Sequence, residues 1–268
     1  MTVVVGFVGP NGAVMASDSE ATESRHTRYD VEKIWLNHGL LFGYTGNTSV
    51  RQRLEPAIET GLADRAADLP ALDREQVRDV LLSLTLPALR QAYGFHVAGN
   101  LPIGGAPPGL AGALIISGRD TAGYWLLEIE ENNIPTFYSE RGFHTVGSGA
   151  AAAYTAHSLM EGYHSLGDSL AYLKLMAART VQNCIDTMGG ALGVGGKLRL
   201  WYSSATEVFV PADTDELKRI EEGVRQWRAI ERESLREVVE GSGSGAAGYG
   251  VPLPEELGDD SAGASQAR

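Results

Sequence analysis

The residue that points most directly to chemistry is Thr2, which follows Met1 at the start of the chain. Its small side chain is of the type after which the initiator methionine is normally removed, and removal would leave a free α-amine beside a secondary hydroxyl. An α-amine has a pKa of about 7.7–8.0 in model peptides, so it is poised as a general base near neutral pH. A base and a nucleophile on one residue are the parts of N-terminal threonine catalysis. The alternative is that Met1-Thr2 is an ordinary chain start.

Two charged residues further along are of the types that such catalysis needs. Asp18 follows the apolar start of the chain, and Lys33 precedes a second apolar segment. A fixed ammonium near the Thr2 hydroxyl would lower the pKa of that hydroxyl and would hold the α-amine neutral by like-charge repulsion. A salt bridge at a strand end is the alternative interpretation of Asp18 with Lys33.

Short motifs surround these residues in a recognisable order. They are Ala16-Ser17-Asp18, Lys33-Ile34-Trp35, Phe42-Gly43-Tyr44-Thr45-Gly46 and Gly147-Ser148-Gly149. The set resembles the proteasome β-subunit family of N-terminal nucleophile (Ntn) hydrolases, including its simpler bacterial homologues of the Anbu type. The resemblance follows element order from about Thr2 to Val210. It is densest up to Asn47 and again around Gly147.

The resemblance implies a role for each matched residue. Thr2 is implied to be the nucleophile, Asp18 the buried carboxylate that orients the active-site lysine, and Lys33 that lysine. The Gly43 N–H is implied to face the developing oxyanion, where one such donor is typically worth about 10²–10³ in rate. Ser148 is implied to bind near the Thr2 amine. A strand glycine that allows close backbone approach and a helix cap are alternative interpretations of Gly43 and Ser148.

Two positions depart from the family pattern. Glu20 stands where active members usually carry arginine, which reverses a charge near the expected site. The family also has an aspartate, with a serine three residues on, before its penultimate strand. Asp186 is the nearby carboxylate for this role, but Met188-Gly189-Gly190 follows it without that serine. If Gly195-Gly196 are aligned instead, the acidic position falls on Ala191 and is lost.

A competing motif is the glycine-rich segment 147–152, which resembles a dinucleotide-binding fingerprint between a strand and a helix. The element after that helix is expected to be a second helix rather than a parallel strand, which argues against a nucleotide site. The six histidines of the chain show no spacing typical of metal ligation. The sequence therefore implies neither an organic cofactor nor a metal ion.

Composition narrows the expected partners and compartment. The formal net charge of −12 repels phosphate backbones and anionic lipid surfaces, so neither nucleic acid nor a membrane is expected as a partner. No apolar run approaches the roughly 20 residues that span a bilayer, and the start lacks the basic region of a signal peptide. The single cysteine, Cys184, fits a reducing compartment, so a cytoplasmic location is expected.

Hydrophobic periodicity predicts hairpins that alternate with pairs of helices. Strands are expected at 2–8, 13–17, 33–36, 40–44, 113–117, 124–129, 135–138, 143–146, 198–202 and 207–210. Helices are expected after Asn47 and Asp73, at about 150–162 and 168–188, and from 213 or 214 to about 240. This order favours α+β with antiparallel sheets. Two face-to-face sheets flanked by helix pairs, the four-layer αββα sandwich of Ntn hydrolases, would bury both faces of each sheet.

The sequence thus predicts one proteasome-type Ntn hydrolase domain over 1–240, followed by a flexible Gly/Ser/Ala-rich acidic tail over 241–268. The expected function is that of a threonine-type endopeptidase that cleaves peptides or unfolded proteins. The resemblance implies self-association into a homo-oligomeric ring or a related assembly, and it leaves an ATPase partner open. An inactive structural ring subunit and an amidohydrolase that acts on small amides are the alternatives.

Overall fold

The computed structural model describes residues 2–22, 28–99, 112–130, 134–160, 169–188, 194–204 and 207–243. Most of the expected loop from Gly99 to Gly112, and the tail after Gly243, lie outside these residues. Contacts divide the chain into two units, 1–225 and 226–268. The division falls within the last helix, and the predicted boundary at 240/241 stays a prediction.

The described elements follow one another as hairpins and helix pairs. In chain order they are β1 (Val4–Gly9), β2 (Gly12–Asp18), β3 (Glu20–Thr22), β4 (Arg28–Asp30), β5 (Ile34–Asn37), β6 (Leu40–Gly46), α1 (Thr48–Ala63), a 3-10 turn (Leu69–Ala71), α2 (Arg74–Gly99), β7 (Gly112–Asp120), β8 (Gly123–Glu130), β9 (Pro135–Phe137), β10 (Phe143–Val146), α3 (Ala150–Met160), α4 (Leu170–Met188), β11 (Leu198–Ser204), β12 (Val210–Pro211) and α5 (Thr214–Gly243).

The strands form two five-stranded sheets and a small ribbon. The first sheet has the order β10-β1-β2-β11-β12, and the second has the order β5-β6-β7-β8-β9. All strand pairs in both sheets are antiparallel, which confirms the α+β class with antiparallel sheets. The ribbon of β3 and β4 was not expected from the sequence, because each strand has only three residues and shows no hydrophobic period.

The first helix pair shows why the sequence folds as it does. The Asn47 side chain accepts the Ser49 N–H at 2.9 Å and caps α1, where the sequence predicts a cap at Asn47 or Thr48. Asp73 and Gln76 exchange hydrogen bonds between side chain and backbone N–H at the start of α2, which is a reciprocal cap. Four apolar residues of α1 are spaced so that they lie on one face of the helix, and all four are buried: Val50, Leu54, Ile58 and Leu62.

Helices and sheets share two apolar cores within residues 1–225. Helices α1 and α2 pack on each other and on the second sheet, where Phe42, Ile116 and Trp125 are buried against them. The other face of the second sheet contributes Ile115 and Leu126 to a core with Val4 and Met15 of the first sheet. Helices α3 and α4 pack on each other, and α4 lies on β1, β2 and β11. None of the described helices combines the length and the apolar character that a membrane span requires.

Strand pairing brings distant chain segments to the end of the first sheet at which β1 begins. Val4 pairs with both Ser17 and Val146, and Asp18 pairs with Leu198. The end of β2, the end of β10 and the start of β11 therefore all lie beside Thr2. We call this end of the sheets the Thr2 end, and we call the opposite end, where β1 turns into β2, the turn end.

Candidate active site

Asp18 is the centre of the hydrogen bonds at the Thr2 end. It is fully buried, and its Oδ1 accepts from Lys33 Nζ at 2.6 Å and from the Val3 N–H at 2.9 Å. Its Oδ2 accepts the Gly195 N–H at 3.0 Å. Both carboxylate oxygens of this buried side chain therefore have donors, two of them backbone N–H groups and one an ammonium. The carboxylate thereby fixes both the lysine and the peptide bond directly after Thr2.

Lys33 precedes β5 and is 3% exposed. Its Nζ donates to Asp18 Oδ1 at 2.6 Å and to the Glu20 carbonyl at 2.7 Å, which uses two of the three donors of an ammonium group. Burial lowers the pKa of Lys33 from its usual 10.5, and the negative charges of Asp18, Glu20 and Asp30 oppose that shift. A charge that is costly to bury is thus held in place by a buried partner.

Ser148 lies between β10 and α3 and contacts the backbone of Thr2. Its Oγ accepts the Thr2 N–H at 3.0 Å and donates to the Thr2 carbonyl at 3.4 Å. The nitrogen in this contact belongs to the Met1–Thr2 peptide bond and occupies the position that a free α-amine would take after loss of Met1. The two hydrogen bonds favour the site interpretation of Ser148 over the helix-cap interpretation.

The glycines beside Ser148 allow its loop to lie against Thr2. Gly147 has a φ of +102°, and a Cβ there would lie 2.3 Å from the Thr2 carbonyl oxygen. A Cβ on Gly149 would lie 2.8 Å from Val3 Cβ, and the Gly149 N–H donates to the Thr2 carbonyl at 3.2 Å. Gly-Ser-Gly is therefore required here by contact with the chain start, not only by the turn into α3.

Gly43 lies inside β6 opposite Ile34 and Ile115. A Cβ on Gly43 would lie 2.7 Å from Val4 Cγ1 and 2.8 Å from Met15 Sδ, so this glycine lets the two sheets approach closely. The Tyr44 N–H donates to the Lys33 carbonyl, and the alternation of an antiparallel strand then directs the Gly43 N–H toward β7. These contacts favour the close-approach interpretation, and the oxyanion role of Gly43 stays a prediction.

Asp186 is the site candidate that lies apart from these contacts. It is exposed in the last turn of α4, where it accepts from Gln182 Nε2 at 2.9 Å. Two residues earlier, buried Cys184 has its Sγ 3.8 Å from the Gly149 carbonyl. Helical residues two positions apart point in nearly opposite directions, so a helix that directs Cys184 toward the site directs Asp186 away from it. The alternative position, Ala191, lies outside the described residues.

Several contributors to the site were not identified from the sequence. The Val3 and Gly195 N–H groups and the Glu20 carbonyl act through the backbone, which residue type does not reveal. At the end of β6, Gly46 has a φ of +124°, and Thr45 Cγ2 lies 3.0 Å from where a Gly147 Cβ would be. The end of β6 therefore lies against the loop that contacts Thr2, and the glycine after Thr45 was the available signal.

Cys184 completes the surroundings of the carboxylate. Burial, with a smaller contribution from the negative charge of Asp18, raises the pKa of the Cys184 thiol to about 11. The thiol is therefore protonated at neutral pH and serves as packing beneath Gly149 rather than as a nucleophile. Among the described residues, no group of three or more His, Cys, Asp or Glu side chains is arranged to hold a metal ion.

No protein-family model matches the chain, and no curated protein matches it either. The site must therefore be interpreted from its own geometry.

Proposed function

We propose that the chain is a threonine-type peptidase whose nucleophile is Thr2 after loss of Met1. The observation that carries the proposal is the bonding around one backbone position: Ser148 binds the Thr2 nitrogen, and Asp18 binds both the next N–H and the Lys33 ammonium. A salt bridge at a strand end would not need a serine bound to the nitrogen of residue 2. This combination supports a site built around the start of the mature chain.

In the proposed reaction the Thr2 hydroxyl oxygen attacks a peptide carbonyl carbon, and the Thr2 α-amine takes the hydroxyl proton, directly or through a water. The tetrahedral intermediate collapses when the amine returns that proton to the leaving nitrogen, which releases one product and leaves an ester on Thr2. Water then hydrolyses the ester and frees the hydroxyl. The positive charge of Lys33 favours ionisation of the hydroxyl and keeps the nearby amine neutral. The resemblance implies the Gly43 N–H as the backbone donor to the oxyanion. The end of β6 at Thr45–Gly46 is a second candidate, because Thr45 lies against the Gly147 loop.

The proposal extends to fold family and assembly. Two antiparallel sheets in contact, each with a helix pair on its outer face, are compatible with the αββα sandwich of Ntn hydrolases and support the resemblance to proteasome β-subunits. On that resemblance the chain would form a ring or related homo-oligomer in the cytoplasm and would act on peptides or unfolded proteins. The chemistry proposed needs no cofactor.

The first experiment measures the mass of the full chain before and after treatment with a peptide epoxyketone, which reacts with a threonine hydroxyl and its own α-amine. The expected result is loss of Met1, one covalent adduct and its location on Thr2 by peptide mapping. Thr2→Ala should abolish the adduct, and Thr2→Ser should retain it. Thr155→Ala, which removes a threonine hydroxyl bonded to the Ala151 carbonyl on α3, is the matched control and should label normally.

Other outcomes would contradict the proposal. A retained Met1 would leave the Thr2 nitrogen in an amide bond and would remove the base. An unlabelled protein that has lost Met1 and assembles normally would favour a structural ring subunit. Labelling without any hydrolysis of peptides, but with hydrolysis of small amides, would favour an amidohydrolase.

A further inference from the structure

A second cluster of buried titratable groups lies beside the candidate site and takes no part in the mechanism above. Glu128 of β8 and His144 of β10 are 8% and 4% exposed, and His144 Nε2 lies 2.9 Å from Glu128 Oε2. The other imidazole nitrogen, His144 Nδ1, is hydrogen-bonded to the Tyr154 hydroxyl of α3 at 2.7 Å. The Tyr138 ring stacks on the imidazole with centroids 3.6 Å apart, and its hydroxyl donates to Glu128 at 3.2 Å.

The cluster joins β8, β10 and α3 through the two nitrogens of one imidazole ring. Because β10 is the edge strand of the first sheet, His144 can be reached from β8 of the second sheet and from α3 at the same time. Burial and the Glu128 carboxylate raise the pKa of Tyr138 to about 12, so its hydroxyl stays protonated and can keep donating to Glu128. Burial also raises the pKa of Tyr154, against the opposing charge of Arg141.

His144 and Tyr154 lie on either side of Ser148 in the chain, which connects the cluster to the site. They lie four residues before and six residues after Ser148, so their hydrogen bond closes the segment 144–154, which contains the whole Gly147–Gly149 loop. This loop has little freedom, because its glycines fit against Thr2 and Val3 only without side chains. Small rotations of β10 relative to α3 would therefore move Ser148 relative to the Thr2 nitrogen.

We propose that Glu128, His144 and Tyr154 are positioning residues that hold Ser148 on the Thr2 nitrogen by clamping β10 to α3. The inference rests on the proposed function for its catalytic consequence, but the clamp itself is a property of the loop. If the Tyr154 hydroxyl acts only through Ser148, its removal should slow the reaction of Thr2 when Ser148 is present. The same change should have little effect when Ser148 is replaced by alanine. Global stabilisation by Tyr154 would not depend on Ser148 in this way.

The test is a double-mutant cycle on the rate of Thr2 labelling by the epoxyketone in the full chain. Tyr154→Phe removes only the hydroxyl and should slow labelling about tenfold, because displacements of about 1 Å at a reacting group can cost up to 10² in rate. In the Ser148→Ala background the same change should slow labelling less than about twofold, since residues that act as a unit are not additive. Equal effects in the two backgrounds would overturn the proposal.

A matched control and a second measurement separate this proposal from the proposed function. Tyr124→Phe removes another buried tyrosine hydroxyl, one that lies 3.4 Å from Ser203 Oγ at the turn end, and it should leave labelling unchanged. Amide hydrogen exchange of peptides covering residues 143–154 should be at least about fivefold faster in Tyr154→Phe and unchanged in Tyr124→Phe. Exchange does not depend on activity. If wild-type protein is not labelled, the proposed function fails, and unchanged exchange in Tyr154→Phe would overturn the clamp as well.

Discussion

The two ends of the paired sheets differ in how they use polar groups and space. At the Thr2 end, buried Asp18 and Lys33 bond to each other and to backbone groups at 2.6–3.0 Å. At the turn end lies a cavity of about 540 Å³, whose walls include Leu40, Trp125 and Phe209. A second cavity of about 390 Å³ lies by Gly9, also at the turn end.

The volume of a cavity therefore does not indicate where the buried charged groups of this molecule lie. The large cavity has mainly apolar walls, and the polar Ser203 hydroxyl in it is already bonded to the Glu207 carbonyl at 2.7 Å. The Thr2 end instead buries an ammonium and a carboxylate, which is costly unless each is matched by partners. Such a cost is readily explained if the charges act on Thr2.

The first pair of variants changes one aspartate to asparagine at each end of the sheets. Asp18→Asn leaves the buried Lys33 ammonium without its counter-charge, so we expect labelling of Thr2 to fall by about 10³ or more. We also expect a loss of about 3 kcal/mol in the free energy of unfolding, as for other broken buried ion pairs. Labelling kinetics and urea denaturation measure the two effects.

Asp120→Asn at the turn end is the matched control. Asp120 bonds to Arg74 at 2.9 Å, and that ion pair is partly exposed. We expect a loss of about 1 kcal/mol in the free energy of unfolding and an unchanged labelling rate. If the two substitutions have similar effects on labelling, the Asp18–Lys33 pair is only a structural salt bridge.

Two glycine substitutions separate the effect of backbone strain from the effect of contact with the site. Gly147 and Gly123 both have positive φ values, +102° and +128°, so alanine at either position costs about 1–2 kcal/mol in backbone strain. Only at Gly147 would the new Cβ collide with the Thr2 carbonyl, because at Gly123 nothing lies within 4 Å. We expect Gly147→Ala to slow labelling about 10²-fold and Gly123→Ala to leave it unchanged. Equal labelling of the two variants at matched folded fraction would contradict the proposed fit of the loop.

The sequence predicted the elements of the fold more fully than it predicted the site. Strand alternation and helical spacing identified the two sheets, the helix pairs and the Asn47 cap, because these depend on local periodicity. The ribbon of β3 and β4 was missed, since three-residue strands carry too little pattern. The sequence predicts a charged helix that reaches about Glu240, and α5 ends at Gly243.

Side-chain chemistry in the site was more accessible from sequence than backbone geometry was. Asp18, Lys33 and Ser148 were singled out by the motifs of the resemblance, and their carboxylate, ammonium and hydroxyl groups are of the types that the chemistry needs. The direction of the Gly43 N–H depends on strand register, and the direction of Asp186 depends on helix phase. A shift of one residue in the strand register or in the helix phase would reverse the direction of the group concerned. The sequence alone does not determine such shifts.

The pH dependence of the labelling rate tests whether the charge of Lys33 limits activity at high pH, and we expect this effect to be small. The proposed mechanism needs a neutral α-amine and a charged Lys33, so the labelling rate should rise as the amine loses its proton and fall as Lys33 loses its own. Burial lowers the pKa of Lys33 from 10.5, so the loss at high pH should begin below pH 10.5. Arg119→Gln, which changes a charge on the wall of the turn-end cavity, should leave this limb of the profile in place. In Lys33→Arg, any residual activity should lack the limb, because a guanidinium stays charged throughout this range. A wild-type rate that is still rising at pH 10.5 would mean that the Lys33 charge does not act on Thr2, and the difference between the two ends would then be one of packing alone.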